Sequence, residues 1–393
     1  MNKIQQAQQH LQKMGVDGWL LYDFSKNNPI LHQFLDLPED KVYRRRFFYW
    51  IPAEGSPVKI VHSIEPQALD GWPGDKKTYS SWKVLHQELK MLLEGKKQVA
   101  MEYSPNNEIP YVSKVDGGTI DLIRSFGVKV VSSASFLPYF TAVLDDFQAQ
   151  TLERAGNLLD LLVCDAWDWI AEHLKQGKTI SEYDAQQKIL SDFKKHGLFT
   201  DTAPNVSVNG NSADPHYLPN KKSAKQICKG DFILIDMWCK EMHPKAIYAD
   251  ITRVGIAAKE PSAKQEEIFR CVRKAQKAAT DFVIRRFQEK KQVLGYEIDD
   301  VARGIIVEAG YGDQFTHRTG HNIGIELHGS GAHIDNLEMH DVRPILPRTC
   351  FSVEPGIYLE GEFGIRLEYD LYVDPKSQVH IIGGKQDTIV CFG

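Results

Sequence analysis

The sequence lacks long apolar runs and a strong excess of charge of either sign. No apolar run approaches the roughly 20 residues that a membrane-spanning helix needs, and the polar segment 1–15 does not resemble a signal peptide. The 47 basic and 52 acidic residues give a formal net charge of −5, which provides no general field for nucleic acid or anionic lipid. We therefore expect neither a membrane-spanning protein nor a basic nucleic-acid-binding one.

Cysteine is also sparse and unpatterned. The six cysteines are widely scattered and include no C-x-x-C pair, whereas disulfide scaffolds and zinc ribbons need denser, regularly spaced cysteines. We expect six free thiols in a reducing cytoplasm. Only Cys391, in the predicted C-terminal strand, is not expected to be buried.

The 393 residues are enough for two or three domains with their own cores. Residues 1–145 alternate short apolar runs with helical stretches, which predicts a small α/β domain. The acidic pair Asp145-Asp146 is expected to cap a long helix over 147–174. The sequence thus predicts a boundary near residue 145 and an α+β domain over 146–393, with helices covering a largely antiparallel sheet.

Hydrophobic periodicity and capping residues predict the individual elements. A capping box at Thr179-Ile-Ser-Glu182 is expected to begin a helix that ends near 196. The other predicted helices cover 4–14, 83–94, 262–290 and 296–310. Strands are predicted over 18–22, 46–51, 58–62, 99–103, 128–131, 205–208, 231–238, 247–255, 350–358, 364–373 and 380–390.

Acidic residues occupy positions where buried strands should be apolar. Asp236 ends the apolar run 232–236, and Asp250 lies at the centre of the next predicted strand. A buried ionised carboxylate is costly unless it is paired or bound to metal. The polar turn between the two strands predicts a hairpin that brings the acids together. A structural alternative is that Asp250 pairs with Arg253 and Asp236 caps a turn.

Two more acids strengthen the metal interpretation. Glu354 ends an apolar strand just before a Pro-Gly pair. In the next predicted strand, the period of two places Arg366, Glu368 and Asp370 on one face, opposite the apolar side chains. Such a face is either a salt-bridge network or one wall of a metal site. Four acids on core strands near a histidine-rich segment favour the metal, and carboxylate oxygens with an imidazole suit Mn²⁺, Fe²⁺, Co²⁺ or Zn²⁺.

The histidine-rich segment covers residues 317–328 and contains His317, His321 and His328. The first two are four residues apart, as in zincin helices, but the glutamate of the H-E-x-x-H motif is absent. Two glycines also argue against a long helix, so a zincin site is excluded. Three histidines beside glycines, which allow backbone to approach a ligand closely, favour a functional site over structural roles.

The ordered set of candidate ligands resembles that of a known family. Asp236, Asp250, His321, Glu354 and Glu368 match the five metal ligands of the pita-bread metallopeptidases, which include aminopeptidase P, prolidase and methionine aminopeptidase. The supporting strings are LID, YADITR, HRTGHNIGIELH, SVEPGIY and GIRLEYD. The resemblance covers about residues 150–393. The N-terminal domain resembles that of the creatinase, prolidase and aminopeptidase P branch.

The resemblance implies a fold and a set of cofactors. It implies an α+β pita-bread domain over 146–393, with helices on a curved, mainly antiparallel sheet, after a creatinase-type α/β domain over 1–145. It also implies two divalent ions, manganese first, with cobalt, zinc and iron as alternatives. Asp236 would bind one ion, Asp250 and Glu368 would bridge both, and His321 with Glu354 would complete the other site.

The resemblance assigns further roles at the same site. Two ions roughly 3.5–4 Å apart can share a water and lower its pKa toward about 7, and Glu354 would accept that water's proton. His216 would face the substrate, and His328 would stabilise the tetrahedral oxyanion. His317 and Arg366 would orient ligands and line the substrate site.

The implied substrate is a peptide with proline in second position, and the implied assembly is a homodimer. The sequence does not separate a dipeptidase from an aminopeptidase that accepts longer peptides. Two alternatives remain, a hydrolase of a small non-peptide amide and a pita-bread scaffold that binds without catalysis. Creatinase-like hydrolysis without metal is disfavoured, because all five metal ligands are present.

The chain departs from the family pattern in several places. Its first two acids are 14 positions apart, a few more than usual, and Met237 and Trp238 replace small residues. The segment after His328 lacks the Glu-x-Pro found in many prolidases, and Tyr369 replaces an acidic or small polar residue. We expect these changes to line the substrate side, and so to affect substrate choice more than metal binding.

Overall fold

The structure is a computed structural model that describes residues 2–38 and 40–393. Contacts divide the chain into two units, Met1–Thr141 and Ala142–Gly393. None of the helices in the described residues has both the length and the apolar character needed to cross a membrane.

The N-terminal unit is built around one six-stranded sheet in the order β4-β3-β2-β1-β5-β6. Strands β1, β5 and β6 run parallel, as do β3 and β4, whereas β2 is antiparallel to both of its neighbours. The elements are α1 (Lys3–Met14), β1 (Gly18–Asp23), α2 (Pro29–Phe34), β2 (Phe47–Pro52), β3 (Val58–His62), β4 (Asp75–Tyr79), α3 (Trp82–Leu93), β5 (Gln98–Met101), α4 (Gly117–Ser125), β6 (Lys129–Ser132) and α5 (Pro138–Thr141).

The C-terminal unit has four long helices and two larger sheets. One sheet has the order β17-β10-β9-β7 with β8 also paired to β9, the other has the order β11-β12-β15-β16, and β13 pairs with β14. The elements are α6 (Asp146–Lys175), α7 (Glu182–Lys195), β7 (Leu198–Phe199), β8 (Asn205–Val208), β9 (Phe232–Glu241), β10 (Ala249–Ile256), α8 (Ala263–Gln288), α9 (Gly295–Glu308), β11 (Asn322–Ile323), β12 (Cys350–Val353), β13 (Gly356–Leu359), β14 (Phe363–Arg366), β15 (Tyr369–Val373), β16 (Val379–Ile382) and β17 (Val390–Cys391).

The β9–β10 hairpin separates two apolar cores. Odd-numbered residues of β9, such as Ile233 and Ile235, pack in a core with residues of α6 and α7. Phe232 and Leu234 pack on the opposite face, in a core with residues of α8 and α9. Because side chains alternate along a strand, Asp236 shares the face of Phe232 and Leu234. The hairpin therefore carries acids on the α8–α9 side of a strand that is buried on both faces.

Most of the predicted elements are confirmed to within three residues at either end. The caps of two long helices are also confirmed, since Asp145 accepts a hydrogen bond from the Gln148 N–H at 2.8 Å and Ser262 caps α8. The predicted capping box at Thr179 is wrong. Ser181 caps α7 instead, through the Asp184 N–H.

Three predicted C-terminal strands are each interrupted. Residues 350–358 form β12 and β13 with a break at Glu354-Pro355, and 364–373 form β14 and β15 with a break before Tyr369. Proline has no N–H to give to a ladder. At the second break, the N–H of Glu368 donates at 3.2 Å to the carbonyl of Thr252. Thr252 lies on β10, a strand of a different sheet. The region 380–390 likewise keeps only β16 and β17.

All six cysteines are free, but their predicted exposure is partly wrong. Cys164 and Cys228 are exposed along with Cys391, and Cys271 is half-buried. Cys164 and Cys271 lie on amphipathic helices, where a single turn exposes some positions and buries others. The apolar residues next to these cysteines in the sequence did not show whether each cysteine lies on the buried or the exposed face of its helix.

Candidate metal centre

The hairpin brings the first two predicted ligands onto one face. Asp236 pairs in register with Thr252, and Asp250 pairs with Trp238, so the period of two places both acids and Thr252 on the same side. The ladder is continuous from Phe232 to Cys239. The additional residues between the two acids therefore lie in the turn, and the longer spacing leaves the register of the acids intact.

The strand breaks present the two glutamates to this face. The N–H of Glu354 donates to the Thr319 carbonyl at 2.8 Å, and its carboxylate accepts a hydrogen bond from Ser352 Oγ at 3.2 Å. Glu368 Oε2 lies 2.6 Å from Thr252 Oγ1. The breaks thus direct these carboxylates toward the hairpin, while Leu367 and Tyr369 keep their places in the apolar core.

His321 completes the cluster. Its Nε2 lies 3.7 Å from Asp250 Oδ2 and 3.5 Å from Glu354 Oε1. One ligand atom each from Asp250, His321 and Glu368 lies within 4.8 Å of the others, and all three side chains are buried. The backbone N–H of His321 donates to Ser352 Oγ at 3.0 Å, and its ring Nδ1 lies 3.3 Å from the Asn322 carbonyl.

The electrostatics of this cluster call for a cation. Burial, followed by repulsion from neighbouring acids, raises the pKa of Asp250 and of Glu368 well above their ordinary values. Asp250 Oδ1 and Glu368 Oε1 are buried and have no hydrogen-bond partner. Orphaned buried oxygens are costly, and oxygens together with one imidazole are suitable donors for a divalent transition metal. The residues present therefore fit a metal ion.

Arg366 neutralises part of this charge. Its guanidinium donates to Asp236 Oδ2 at 2.5 Å, to Thr252 Oγ1 at 3.0 Å and to the Tyr358 hydroxyl at 3.0 Å. Asp236 Oδ1 is also within 2.9 Å of Thr252 Oγ1. Both oxygens of Asp236 thus have hydrogen-bond partners, in contrast to the partly free carboxylates of Asp250 and Glu368.

His317 lies at the end of the same hydrogen-bond chain. Its Nε2 is 2.6 Å from the Tyr358 hydroxyl, and its Nδ1 is 2.7 Å from the Arg318 carbonyl. Burial, reinforced by nearby arginines, lowers the pKa of His317 to about 3. A neutral ring with Nδ1–H donating to the carbonyl satisfies this geometry, so Nε2 accepts from Tyr358. His317 therefore orients Tyr358, which in turn contacts Arg366.

The two remaining predicted histidines lie near each other. The His328 ring lies 4.3 Å from that of His321 in an edge-on arrangement, and burial together with Arg318 lowers the pKa of His328 to about 4. His216 is exposed and contributes to that lowering. The carbonyl of the preceding Pro215 lies 3.5 Å from Arg366 Nη1.

Several residues at the site were missed from sequence. Thr252 contacts two of the acids. Asp370, which the sequence placed on the same face as Glu368, accepts a hydrogen bond from the Asp250 N–H at 2.9 Å. The buried carboxylate of Glu182, which was assigned to a helix cap, accepts bonds from Asn211 and from the Tyr217 hydroxyl at 2.6 Å, on either side of His216. For Thr252, the available signal was its position two residues after Asp250 on the same strand face.

Two predicted substrate-side departures are instead core residues. Tyr369 is buried, and its hydroxyl lies 2.7 Å from Thr280 Oγ1 on α8. Met237 is fully buried in the core with residues of α6 and α7. Both side chains alternate away from the acids, so the expectation that they line the substrate side is wrong. Trp238 is half-buried, and its indole lies 3.3 Å from Asp201 Oδ1.

The raised pKa values predict a pH-dependent stability in protein stripped of metal. Since the folded state keeps protons that the unfolded chain releases, the contribution of these acids is lost as pH rises. Histidines of the unfolded chain titrate near about pH 6.5, so the opposing effect of the lowered histidine pKa values has nearly ended by about pH 7.5. We expect the melting temperature in EDTA to fall from about pH 7.5 to about pH 9.

Added Mn²⁺ replaces those protons, so its stabilising effect is expected to be larger at the higher pH. Thermal melts with EDTA and with Mn²⁺ at both pH values measure the two slopes. A melting temperature that is independent of pH in EDTA, together with an equal metal effect at both pH values, would contradict the proposed charge balance.

Fold and site together define a class, the metal-dependent hydrolases with an α+β pita-bread domain. Residues 150–375 match the sequence model of metallopeptidase family M24. This match covers more than half of the chain, and the chain belongs to that family of metallopeptidases.

Relatives and solved structures agree with this assignment. The chain is 25% identical over 347 residues to the Xaa-Pro dipeptidase of Lactobacillus delbrueckii subsp. lactis, covering 85% of this chain and 84% of that protein. It is 31% identical over 222 residues to the Xaa-Pro dipeptidase of Pyrococcus furiosus, covering 56% and 57%. The structure of dipeptidase PepE from Mycobacterium ulcerans superposes with a TM-score of 0.69 at 20% identity, covering 99% and 97%, which supports the fold.

Proposed function

We propose that the protein is an exopeptidase that uses two divalent ions to hydrolyse the Xaa-Pro bond at the N-terminus of dipeptides or short peptides. The observation that carries this proposal is the buried cluster of Asp250, His321 and Glu368, in which two carboxylate oxygens have no hydrogen-bond partner. Such a cluster needs a counter-charge, and a catalytic metal centre supplies one.

The five candidate ligands divide between two ions. Asp236 would hold one ion, His321 and Glu354 would hold the other, and Asp250 and Glu368 would contribute to both. The free oxygens of Asp250 and Glu368 support a bridging role, because a bridge uses both oxygens of a carboxylate. Manganese is the first choice, with cobalt, zinc and iron as alternatives. When bound, the ions act as Lewis acids and lower the pKa of a water between them.

Glu354 is the proposed proton carrier. In the metal-free protein, burial raises its pKa to about 7, so its environment favours uptake of a proton more than that of an ordinary glutamate does. Ser352 Oγ, 3.2 Å from Oε1, holds the carboxylate in place. In this role Glu354 takes the proton of the attacking water and delivers it to the leaving proline nitrogen.

The remaining predicted residues bind and orient. His328 would donate to the oxyanion of the tetrahedral intermediate, and its edge-on contact with His321 supports a place beside the metal. His216, exposed near His328, would contact the substrate. His317 and Arg366, joined through Tyr358, would fix the orientation of Asp236.

The preference for proline rests on chemistry and on the named relatives. An Xaa-Pro bond is a tertiary amide without an N–H, so peptidases that bind an extended backbone through that N–H are handicapped. The relatives from L. delbrueckii and P. furiosus are named as Xaa-Pro dipeptidases. We extend this substrate class to the present chain, with dipeptides and short peptides both included.

We further propose a domain organisation, an assembly and a location. A creatinase-like α/β domain would cover 1–145 and the catalytic domain 146–393, close to the contact division at Thr141. The assembly would be a homodimer in the cytoplasm. Six cysteines without a disulfide partner support a reducing compartment.

Substrate choice is tested with three peptides. After chelation and reconstitution with Mn²⁺, we expect hydrolysis of Ala-Pro or Ala-Pro-Ala and none of Met-Ala-Ala, because the last has an ordinary secondary amide at the cleaved bond. Initial rates with the released N-terminal amino acid as the measured product, alanine or methionine, separate the cases. Ala-Ala and Ala-Ala-Ala are controls of matched length without proline.

Each outcome has a distinct meaning. Hydrolysis of Ala-Pro alone identifies a dipeptidase, and hydrolysis of Ala-Pro-Ala identifies an aminopeptidase. If the protein binds metal but cleaves none of these peptides, the Xaa-Pro proposal fails, and a small-amide hydrolase or a binding scaffold takes its place.

A further inference from the structure

Asn322, which directly follows the candidate metal ligand His321, is almost fully buried and has partners for all of its polar groups. Its Nδ2 donates to the Cys350 carbonyl at 2.8 Å, on the strand that leads to Glu354. Its Oδ1 accepts from the Gly331 N–H at 2.8 Å. The side-chain amide therefore joins strand β12 to the loop that follows His328.

The backbone of Asn322 contacts the same loop. Its carbonyl accepts from the Gly329 N–H at 2.8 Å, and its N–H donates to His333 Nδ1 at 3.1 Å. Residues 329–333 thus surround Asn322, which is hydrogen-bonded to Gly329, Gly331 and His333. We call this segment the 329–333 loop.

Glycine allows this close approach. A Cβ at position 329 would lie 2.3 Å from Asn322 Oδ1, and one at position 331 would lie 2.6 Å from Asn322 Cγ. Real Cβ atoms are not found at such distances. The two glycines and the asparagine are therefore matched to one another, and a larger residue at either glycine would push the loop away.

A buried ion pair supports the loop from its other side. The His333 N–H donates to Asp341 Oδ2 at 2.8 Å, and Asp341 pairs with Arg343 at 2.6 Å. Arg343 Nη1 also donates to the Ser330 carbonyl at 3.0 Å. Both Asp341 and Arg343 are fully buried, so the loop is fixed between Asn322 and this pair.

The loop begins directly after His328, whose imidazole lies 4.3 Å from the ring of His321. We propose that Asn322 is a positioning residue that fixes His328 beside the metal ligand through the 329–333 loop. This inference rests on the proposed function only for its kinetic test. Aspartate cannot replace Asn322, because a carboxylate would place an acceptor against the Cys350 carbonyl.

The test compares Asn322→Asp and Asn322→Ala with the wild type and with His328→Ala. We expect kcat for the cleaved peptide to fall roughly 10–100-fold, as for other residues that orient a site, with KM and bound metal unchanged. In a His328→Ala background the same substitutions should have little further effect, since coupled residues are not additive. Equal losses in both backgrounds would overturn the proposal.

A second readout does not depend on activity. Hydrogen–deuterium exchange followed by mass spectrometry reports how firmly the 329–333 loop is held, because the N–H groups of Gly329 and Gly331 donate to Asn322. We expect faster exchange of these loop amides in both Asn322 variants. An unchanged rate would contradict the inference even if no peptide substrate were cleaved, so its failure is distinct from failure of the proposed function.

Matched variants separate positioning from general destabilisation. Asn28→Asp changes an equally buried asparagine of the N-terminal unit, whose Nδ2 donates to the Tyr22 carbonyl at 2.9 Å and whose Oδ1 accepts from the Leu31 N–H. It should lower the melting temperature without affecting exchange of the loop amides. If the Asn322 variants do not fold, Gly331→Ala disturbs the same contact from the loop side and must raise the exchange rate of the loop amides.

Discussion

Glu354→Gln is expected to abolish measurable peptide hydrolysis while leaving metal largely bound. A positioned general base contributes roughly 10²–10⁴-fold to a rate, and a neutral amide cannot take up the proton. Glutamine has the same size as glutamate and keeps one oxygen that can accept from Ser352 Oγ. In the wild type, Ser352 Oγ lies 3.2 Å from Glu354 Oε1. The other acids and His321 remain to hold metal.

Two measurements on the same preparation decide this result. Metal per chain is determined by mass spectrometry after gel filtration, and initial rates are measured with the peptide that the wild type cleaves. Glu362→Gln is the control, since Glu362 is exposed and pairs with Lys264 at 2.8 Å. Wild-type turnover at full metal content would refute Glu354 as the base. Loss of metal and activity together would assign it as a ligand only.

The candidate metal-site acids could be singled out from the sequence because they violate an otherwise strict pattern. Asp236 follows four apolar residues in a strand that is buried on both faces, and burial of an unpaired carboxylate is too costly to be incidental. The polar turn between the two strands predicted the hairpin, and the structure adds the register that pairs Asp236 with Thr252. Thr252 lies on the same face but was not singled out, because threonine is an ordinary strand residue.

The strand break at Glu368 was not predictable from local sequence, whereas a Pro-Gly pair marked the break at Glu354. Apolar periodicity continues through the break at Glu368, and Ile365, Leu367 and Tyr369 do pack in one core. The strand pairing stops at Glu368 because its N–H donates to the carbonyl of Thr252, a residue far away in the sequence. The face of each residue was therefore predicted correctly, but its backbone partner was not.

Tyr369 shows the limit of comparison with a family pattern. Its alternation with Glu368 already placed it on the apolar face, and the structure buries it against Thr280. The expectation that it lines the substrate side came from its difference from relatives. The polar edge strand β4, Asp75–Tyr79, was missed for the opposite reason, because edge strands carry charged residues that hide the strand pattern.

Asp250→Asn is expected to abolish metal binding and activity while leaving the metal-free protein as stable or more stable. Burial and repulsion from Glu368 and Asp236 raise the pKa of Asp250, so its charged form is unfavourable without a cation. Asparagine removes that repulsion and one bridging oxygen. We expect at least the 10–100-fold loss of metal affinity found for residues that merely support a ligand.

The sign of the stability change makes this prediction specific. In EDTA the variant should melt at or above the wild-type temperature, and the Mn²⁺-induced rise should disappear. Asp192→Asn is the control, because Asp192 is a buried acid of the same unit that pairs with Lys188 and Lys195. That variant should lose stability in EDTA and keep the metal-induced rise. If Asp250→Asn keeps full metal occupancy, Asp250 is not a bridging ligand, and the cluster is a network of protonated acids held by Arg366.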